Sequence, residues 1–108
     1  MRMYKITLTV PISHADAVRR AVGDAGGGKD GNYTHCSFSV AGKGRFLPNK
    51  NARPFIGSVS VLEEVDEEKI EFVCGHDVVK EVVAAMLKAH PYEQVAYDIS
   101  PLFRLEDL

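Results

Sequence analysis

Apolar residues recur along this chain first at every second position, as in a strand, and then at intervals of three and four, as in a helix. The order of these two patterns restricts the fold more than any other feature. Apolar and polar side chains alternate over residues 4–10, which is the period-two pattern of a half-buried strand, and Pro11 ends it. From Ser13 the apolar residues recur at intervals of three and four, as on one face of a helix, at Ala15, Val18, Val22 and Ala25. The glycines at positions 26–28 end this predicted helix. The chain therefore begins with a strand followed by a helix.

The remaining residues predict three more strands and a second helix. Residues 32–40 alternate and predict a strand with Cys36 and Phe38 on its inner face. Residues 58–62 and 69–74 predict a third strand, interrupted by an acidic stretch that we interpret as a solvated bend or an exposed strand edge. Pro91 ends the second helix and Pro101 closes a last strand over residues 94–99. The second helix has the broader apolar stripe, at Val78, Val79, Val82, Val83, Met86 and Leu87.

This order of elements is that of an α+β, ferredoxin-like (split βαβ) fold, an antiparallel sheet with two helices on one face. With 108 residues, of which 45% are apolar, we expect residues 1–108 to form a single domain with a real core. Two helices cannot cover both faces of the sheet. We therefore expect some apolar strand residues to meet another copy of the chain.

A long loop is predicted between the second and third strands. Residues 41–57 show neither spacing and are rich in glycine and proline. Phe46, Leu47 and Phe55 are the apolar residues expected to hold this loop against the domain. A loop of this length usually has a functional or interfacial role.

Charge and composition restrict the partners and the compartment. Thirteen Lys and Arg residues against fifteen Asp and Glu residues leave no excess of positive charge for a phosphate backbone, so no nucleic acid is expected as a partner. No apolar run approaches the ~20 residues of a membrane span, and the first residues do not resemble a signal peptide. Cys36 and Cys74 are too few for a disulfide framework, so free thiols and a cytoplasmic location are expected.

The densest set of chemically useful side chains is the segment His90-Pro91-Tyr92-Glu93, where the second helix ends. It places an imidazole, a phenol and a carboxylate within a few residues, which suits a ligand or metal site, or a purely structural helix-to-strand corner. His35 lies on the polar face of its predicted strand and is a further metal candidate. No CxxC or HExxH spacing makes the metal prediction specific, and no serine or cysteine is paired locally with a histidine for nucleophilic catalysis.

Three segments carry a resemblance to a known family: GNYTHCSFSVAGKGRFLPN at 31–49, ARPFIGSVSVLEEVDEEKIEFV at 52–73 and AHPYEQVAYDISPL at 89–102. They are similar to the CutA/PII-like domain inserted in YqfO-type proteins of the Ngg-interacting-factor-three-like family, and the chain resembles a stand-alone version of that domain. The resemblance to CutA implies a trimer whose subunits pair strands edge to edge. Gln94 stands where the family usually has a second carboxylate. The family's two-metal core lies in flanking domains, so its hydrolase-type chemistry is not implied for this chain.

Taken together, the residues and the resemblance predict a non-enzymatic, homo-oligomeric module, expected to be a trimer, that binds a small molecule or a divalent metal ion. The predicted ligand contacts are Tyr33, His35, Phe46 and Tyr92. The predicted metal ligands, at a boundary between subunits, are His35, His90 and Glu93. Two alternatives stay open: a small metal-dependent hydrolase that uses the same residues, and a docking module for a separate catalytic chain.

Overall fold

Strand β1 (Met3–Pro11) lies inside an antiparallel sheet of four strands in the computed structural model, which describes residues 1–108. Strand β3 (Glu63–Gly75) pairs along one side of β1, from Met3 opposite Gly75 to Pro11 opposite Glu67. Strand β4 (Tyr97–Leu102) pairs along the other side. Strand β2 (Phe38–Phe46) pairs with the outer side of β3, so the order across the sheet is β2-β3-β1-β4.

Both α-helices pack on one face of this sheet. Helix α1 (Ile12–Asp24) and helix α2 (Val79–Ala89) contribute to the same buried cluster as alternate residues of β1 and β3. The cluster contains Ile6, Leu8, Val10, Ala15, Val18, Val22, Ile70, Phe72, Cys74, Val82 and Met86. The predicted ferredoxin-like fold, with its helices on one side, is therefore confirmed. A short 3-10 helix (Leu105–Asp107) follows β4, and no helix has the length and apolar character that crossing a bilayer requires.

Strand β2 begins six residues later than predicted and takes up the first part of the predicted loop. Its second half is held by opposite charges across the ladder, because Lys43 pairs with Asp66 and Arg45 with Glu64. The connection between β2 and β3 is therefore residues 47–62 rather than 41–57. Cys36 precedes the strand and is exposed, and Phe38 is 67% exposed, so the prediction that both are internal was wrong.

Strand β3 is continuous through the acidic stretch that we interpreted as separating two strand segments. Residues 63–68 belong to the strand, and residues 58–62 do not form one. The cross-strand cations of β2 compensate Glu64 and Asp66, which removes the reason for a bend. Strand β4 is also shifted by three residues and includes Pro101, which an edge strand tolerates.

The sheet face opposite the helices has no helix over it, and the part that carries Phe38 and Val40 is open. In β3 the core residues alternate with Lys69 and Glu71, which therefore point to this open face. Phe38 and Val40 lie opposite these two residues in the ladder and are 67% and 52% exposed. Apolar strand surface is thus open to solvent where we expected contact with another copy.

Candidate functional site

His90 connects the end of α2 to the sheet. Its Nδ1 accepts a hydrogen bond from the backbone N–H of Tyr92 at 3.1 Å, so Nε2 carries the ring proton and donates to the carbonyl oxygen of Thr9 at 2.8 Å. The side chain is buried, and this burial lowers the pKa of the imidazole, with the Thr9 hydrogen bond and the charge of Glu67 acting in the opposite direction. His90 is therefore neutral, and both of its ring nitrogens are already hydrogen-bonded to the backbone of the same chain.

Tyr92 connects the same corner to β3. Its phenol donates a hydrogen bond to Oε2 of Glu67 at 2.9 Å, and its ring packs edge-on against Phe46 with 5.9 Å between ring centroids. Burial, the hydrogen bond to Glu67 and the charge of that carboxylate raise the pKa of Tyr92 well above its usual range. The phenol is therefore a fixed donor at neutral pH.

Glu67 is a buried carboxylate with one free oxygen. Only 6% of the residue is exposed, and Oε1 accepts no hydrogen bond from the protein. The carboxylate lies over Gly44, where a Cβ would overlap it, so the missing side chain makes room for it. No buried side-chain oxygen or nitrogen in the structure lacks a hydrogen-bond partner, so Oε1 stays accessible to solvent and is available to a ligand.

A cavity of about 530 Å³ opens beside Glu67 and Tyr92. Its walls are the second half of β2, the loop segment 47–56 and the corner after α2, with Thr9 and Lys69 of the sheet at the side. Most of the apolar wall comes from the loop and the end of β2, namely Phe46, Leu47, Pro48, Pro54, Phe55 and Ile56. The volume lies in the range of ordinary small-molecule sites, about 300–1,000 Å³.

The charged residues that line this cavity are unequally paired. Each of the three cations has a carboxylate partner outside the cavity: Lys43 pairs with Asp66, Arg45 with Glu64 at 3.1 Å, and Lys69 with Glu71 at 3.6 Å. The two acids that line the cavity, Glu67 and Glu93, form no ion pair. Glu93 accepts a hydrogen bond from the backbone N–H of Arg53 at 2.7 Å, which ties the loop to the corner.

His35 occupies a different place, beside helix α1. Its backbone adopts a left-handed conformation with φ 59, and its ring lies where a Cβ on Gly23 would be. Nε2 is 2.9 Å from Oδ1 of Asp24, and Nδ1 is 3.0 Å from Oγ1 of Thr34. The cavity at this place measures about 10 Å³, which is room for one water molecule.

The structure thus brings together some of the predicted site residues and separates others. Phe46, Tyr92 and Glu93 line the large cavity, and His90 packs against Tyr92 from behind. Tyr33, which is 75% exposed, and His35 do not line it. Within one chain no three acidic, histidine or cysteine side chains form a metal-binding group. A metal site made of His35, His90 and Glu93 stays a prediction that requires a second copy.

Glu67 is the site residue that sequence reasoning missed. It stands among exposed acids, and the whole stretch was interpreted as solvated. Strand periodicity carries no signal for it, because a strand through residues 63–75 places Glu67 on the same face as Lys69 and Glu71, away from the core.

The sequence and the structure of this chain are similar to one part of several longer proteins. The chain is 48% identical over 100 residues to the GTP cyclohydrolase 1 type 2 homolog of Halalkalibacterium halodurans and 49% identical over 98 residues to that of Bacillus subtilis. These alignments cover 93% and 91% of the chain but only 27% and 26% of the relatives. The crystal structure of a Bacillus cereus protein related to NIF3 superposes with a TM-score of 0.82 at 44% identity, over 95% of this chain and 26% of that one. The chain resembles one domain of the NIF3-related proteins. It spans about a quarter of their length, and no protein-family profile matches it.

The chain also shares its fold with two other groups of proteins. The periplasmic divalent cation tolerance protein CutA from Archaeoglobus fulgidus superposes with a TM-score of 0.65 at 14% identity, over 94% of this chain and 85% of that one. The B. subtilis GlnK–ATP complex superposes with a TM-score of 0.61 at 12% identity, over 94% of this chain and 84% of that one. At these identities the likeness concerns the fold alone, and it supports the CutA/PII-like assignment.

Proposed function

We propose that this NIF3-type domain is a non-enzymatic, homo-oligomeric module that binds a small organic ligand between the end of β2 and the corner after α2. The observation that carries the proposal is the cavity of about 530 Å³, which has a largely apolar wall and one buried carboxylate with a free oxygen. A concave apolar site with few convergent polar groups is what a small-molecule site requires. Phe46 and Tyr92 are the proposed ring contacts for the ligand.

Self-association is the second part of the proposal. Phe38 and Val40 expose apolar surface on the open sheet face, and β2 and β4 leave two unpaired strand edges. Large exposed apolar patches and open edges favour association with another chain, and a trimer is the assembly that the CutA-like fold suggests. Tyr33 and His35, which lie outside the cavity, would contribute to a site only across such an interface.

Binding rather than catalysis is proposed because the cavity shows no arrangement for a chemical step. Tyr92, the one lining group with a strongly shifted pKa, holds its proton more tightly than an ordinary phenol and so makes a poor acid or base. The chain matches only about a quarter of the longer NIF3-related relatives, so an activity of those proteins is not assigned to it. We place the module in the cytoplasm, where its two unpaired cysteines would persist.

Native mass spectrometry combined with ligand-observed NMR against a library of small aromatic compounds tests both parts. Replacement of Phe46 by leucine should weaken the binding of compounds that bind the wild type, and it should leave the oligomer intact. The matched change Phe38→Ser, in the same strand but outside the cavity, should shift the oligomer towards monomer. A monomeric wild-type protein, or binding that is indifferent to Phe46→Leu, would contradict the corresponding part.

A further inference from the structure

We infer that the ligand of this cavity is a planar organic cation of the amidinium or guanidinium type. The inference rests on the proposed function, because it assigns a chemical class to the ligand of the same cavity. Its starting point is the charge pairing around the site. All three lining cations are paired with carboxylates outside the cavity, whereas the two lining carboxylates have no cation.

Glu67 is the residue that favours a cation with N–H donors as the ligand. Glu67 lines the cavity and only 6% of the residue is exposed, yet Oε1 accepts no hydrogen bond from the protein and stays accessible to solvent. A buried carboxylate without a counter-ion is destabilising, and an N–H cation supplies both the charge and the donor that it lacks. Hydrogen bonds between N–H cations and carboxylates are about twice as strong as neutral ones.

The positions of the neighbouring groups favour a flat cation over a compact ammonium ion. Tyr92 holds Oε2 with its phenol at 2.9 Å, which fixes the plane of the carboxylate but leaves that oxygen a second lone pair. A forked donor such as an amidinium can therefore reach both oxygens of Glu67. The rings of Phe46 and Tyr92 lie beside the same space, and aromatic faces attract cations.

Lys69 is the cationic residue nearest to Glu67 along β3, and it lies on the same face of the strand. Its Nζ is 3.6 Å from Oε1 of Glu71, and its side chain is about half exposed. It pairs with the neighbour on its other side rather than with Glu67. The site is therefore left for an external cation.

Isothermal titration with three probes of nearly equal shape tests the charge and the donors separately. Benzamidine is the cation, benzamide the neutral analogue and benzoate the anion. We expect benzamidine to bind about tenfold or more tightly than benzamide, and benzoate not to bind, because only the first offers two charged N–H donors. Similar affinities for benzamidine and benzamide, preference for benzoate, or no benzamidine binding at millimolar concentration would overturn the inference.

A matched pair of variants connects the preference to one residue. Glu67→Gln keeps the shape and an acceptor for Tyr92 but removes the charge, so benzamidine affinity should fall about tenfold or more. Glu68→Gln, in the same strand but outside the cavity and paired with Arg19, which does not line the cavity either, should leave it unchanged. Thermal melting checks that both variants are folded, and an equal response of the two variants would contradict the assignment. If benzamide or another neutral fragment binds and Phe46→Leu weakens its binding, the proposed small-molecule site is supported and only the inference of a cationic ligand is overturned. If no fragment binds, both fail.

Discussion

The phenol of Tyr92 donates a hydrogen bond to the buried carboxylate of Glu67 across 25 positions of the chain, with 2.9 Å between the oxygens. This contact fastens the corner after α2 to β3 and orients the one carboxylate that is both buried and open to the cavity. Replacement of Tyr92 by phenylalanine should therefore lower the free energy of unfolding by about 1–3 kcal/mol, because Oε2 is left without its donor. Urea denaturation provides the measurement. Tyr97→Phe, which removes a phenol that makes no hydrogen bond in the structure, is the control, and equal losses in both variants would argue against the contact.

Two glycines of β2 provide a test of how tightly Glu67 is held. A Cβ on Gly44 would overlap the Glu67 carboxylate, whereas a Cβ on Gly42 would meet nothing within 4 Å. We expect Gly44→Ala to destabilise the domain by about 1–3 kcal/mol, because Glu67 must leave its position beside Tyr92. Gly42→Ala should change stability by less than about 0.5 kcal/mol. In a Glu67→Ala background the difference between the two should vanish, and a difference that persists would point to another cause.

The glycine-rich turn after α1 should also discriminate between two similar positions. Gly28 and Gly31 both have left-handed backbones, with φ 74 and φ 58. A Cβ at Gly31 would meet nothing, so Gly31→Ala should cost only the conformational penalty of about 1–2 kcal/mol. A Cβ at Gly28 would overlap the backbone of Cys36, so Gly28→Ala should cost at least about 1 kcal/mol more. Chemical denaturation of the two variants side by side decides this.

Stability should depend on pH through His90. Burial lowers its pKa in the folded state, so as the pH falls through about 6.5 the unfolded chain takes up a proton that the folded chain does not. The unfolded state is then favoured, and this contribution to stability is present above about pH 6.5 and is lost as the pH falls towards 5. Melting temperatures at pH 7.5 and 5.5 should therefore differ less for His90→Gln than for the wild type. His76→Gln, at an exposed histidine, should keep the wild-type difference.

The two cysteines should differ strongly towards a thiol reagent such as Ellman's reagent. Cys36 is exposed, whereas Cys74 lies in the core and its burial raises the pKa of the thiol. One thiol equivalent is expected to react quickly in the folded protein and the second only at the rate of unfolding. Cys36→Ser should abolish the fast reaction, and a fast reaction that remains would mean that Cys74 is accessible.

The architecture could be predicted from the sequence because the core residues recur at every second position in the strands and at intervals of three or four in the helices. Ile6, Leu8 and Val10 alternate in β1, and Val82 and Met86 lie one helical turn apart in α2. The boundaries of β2 could not be predicted, since half of that strand is stabilised by Lys43 and Arg45 acting on residues about 20 positions away. Such pairing has no local pattern, and the glycines between the cations are typical of a loop.

The candidate site was predicted only where it is local in sequence. Tyr92 and Glu93 stand out in one short segment, and both line the cavity. Glu67 was hidden because its burial depends on Gly44 beneath it and on Tyr92 beside it, both distant along the chain. His35 has the composition of a ligand, but its left-handed backbone and its place over Gly23 put it beside α1 instead.

The corner after α2 is held by single bonds to three separate places: the carbonyl of Thr9, the carboxylate of Glu67 and the amide of Arg53. Each of these bonds involves a side chain of the corner, and none replaces a backbone bond between paired strands. Substitutions at Tyr92, Glu93 or the loop can thus change the lining of the cavity without breaking a hydrogen bond between paired strands. Strand framework and cavity lining are in this sense separable parts of the molecule.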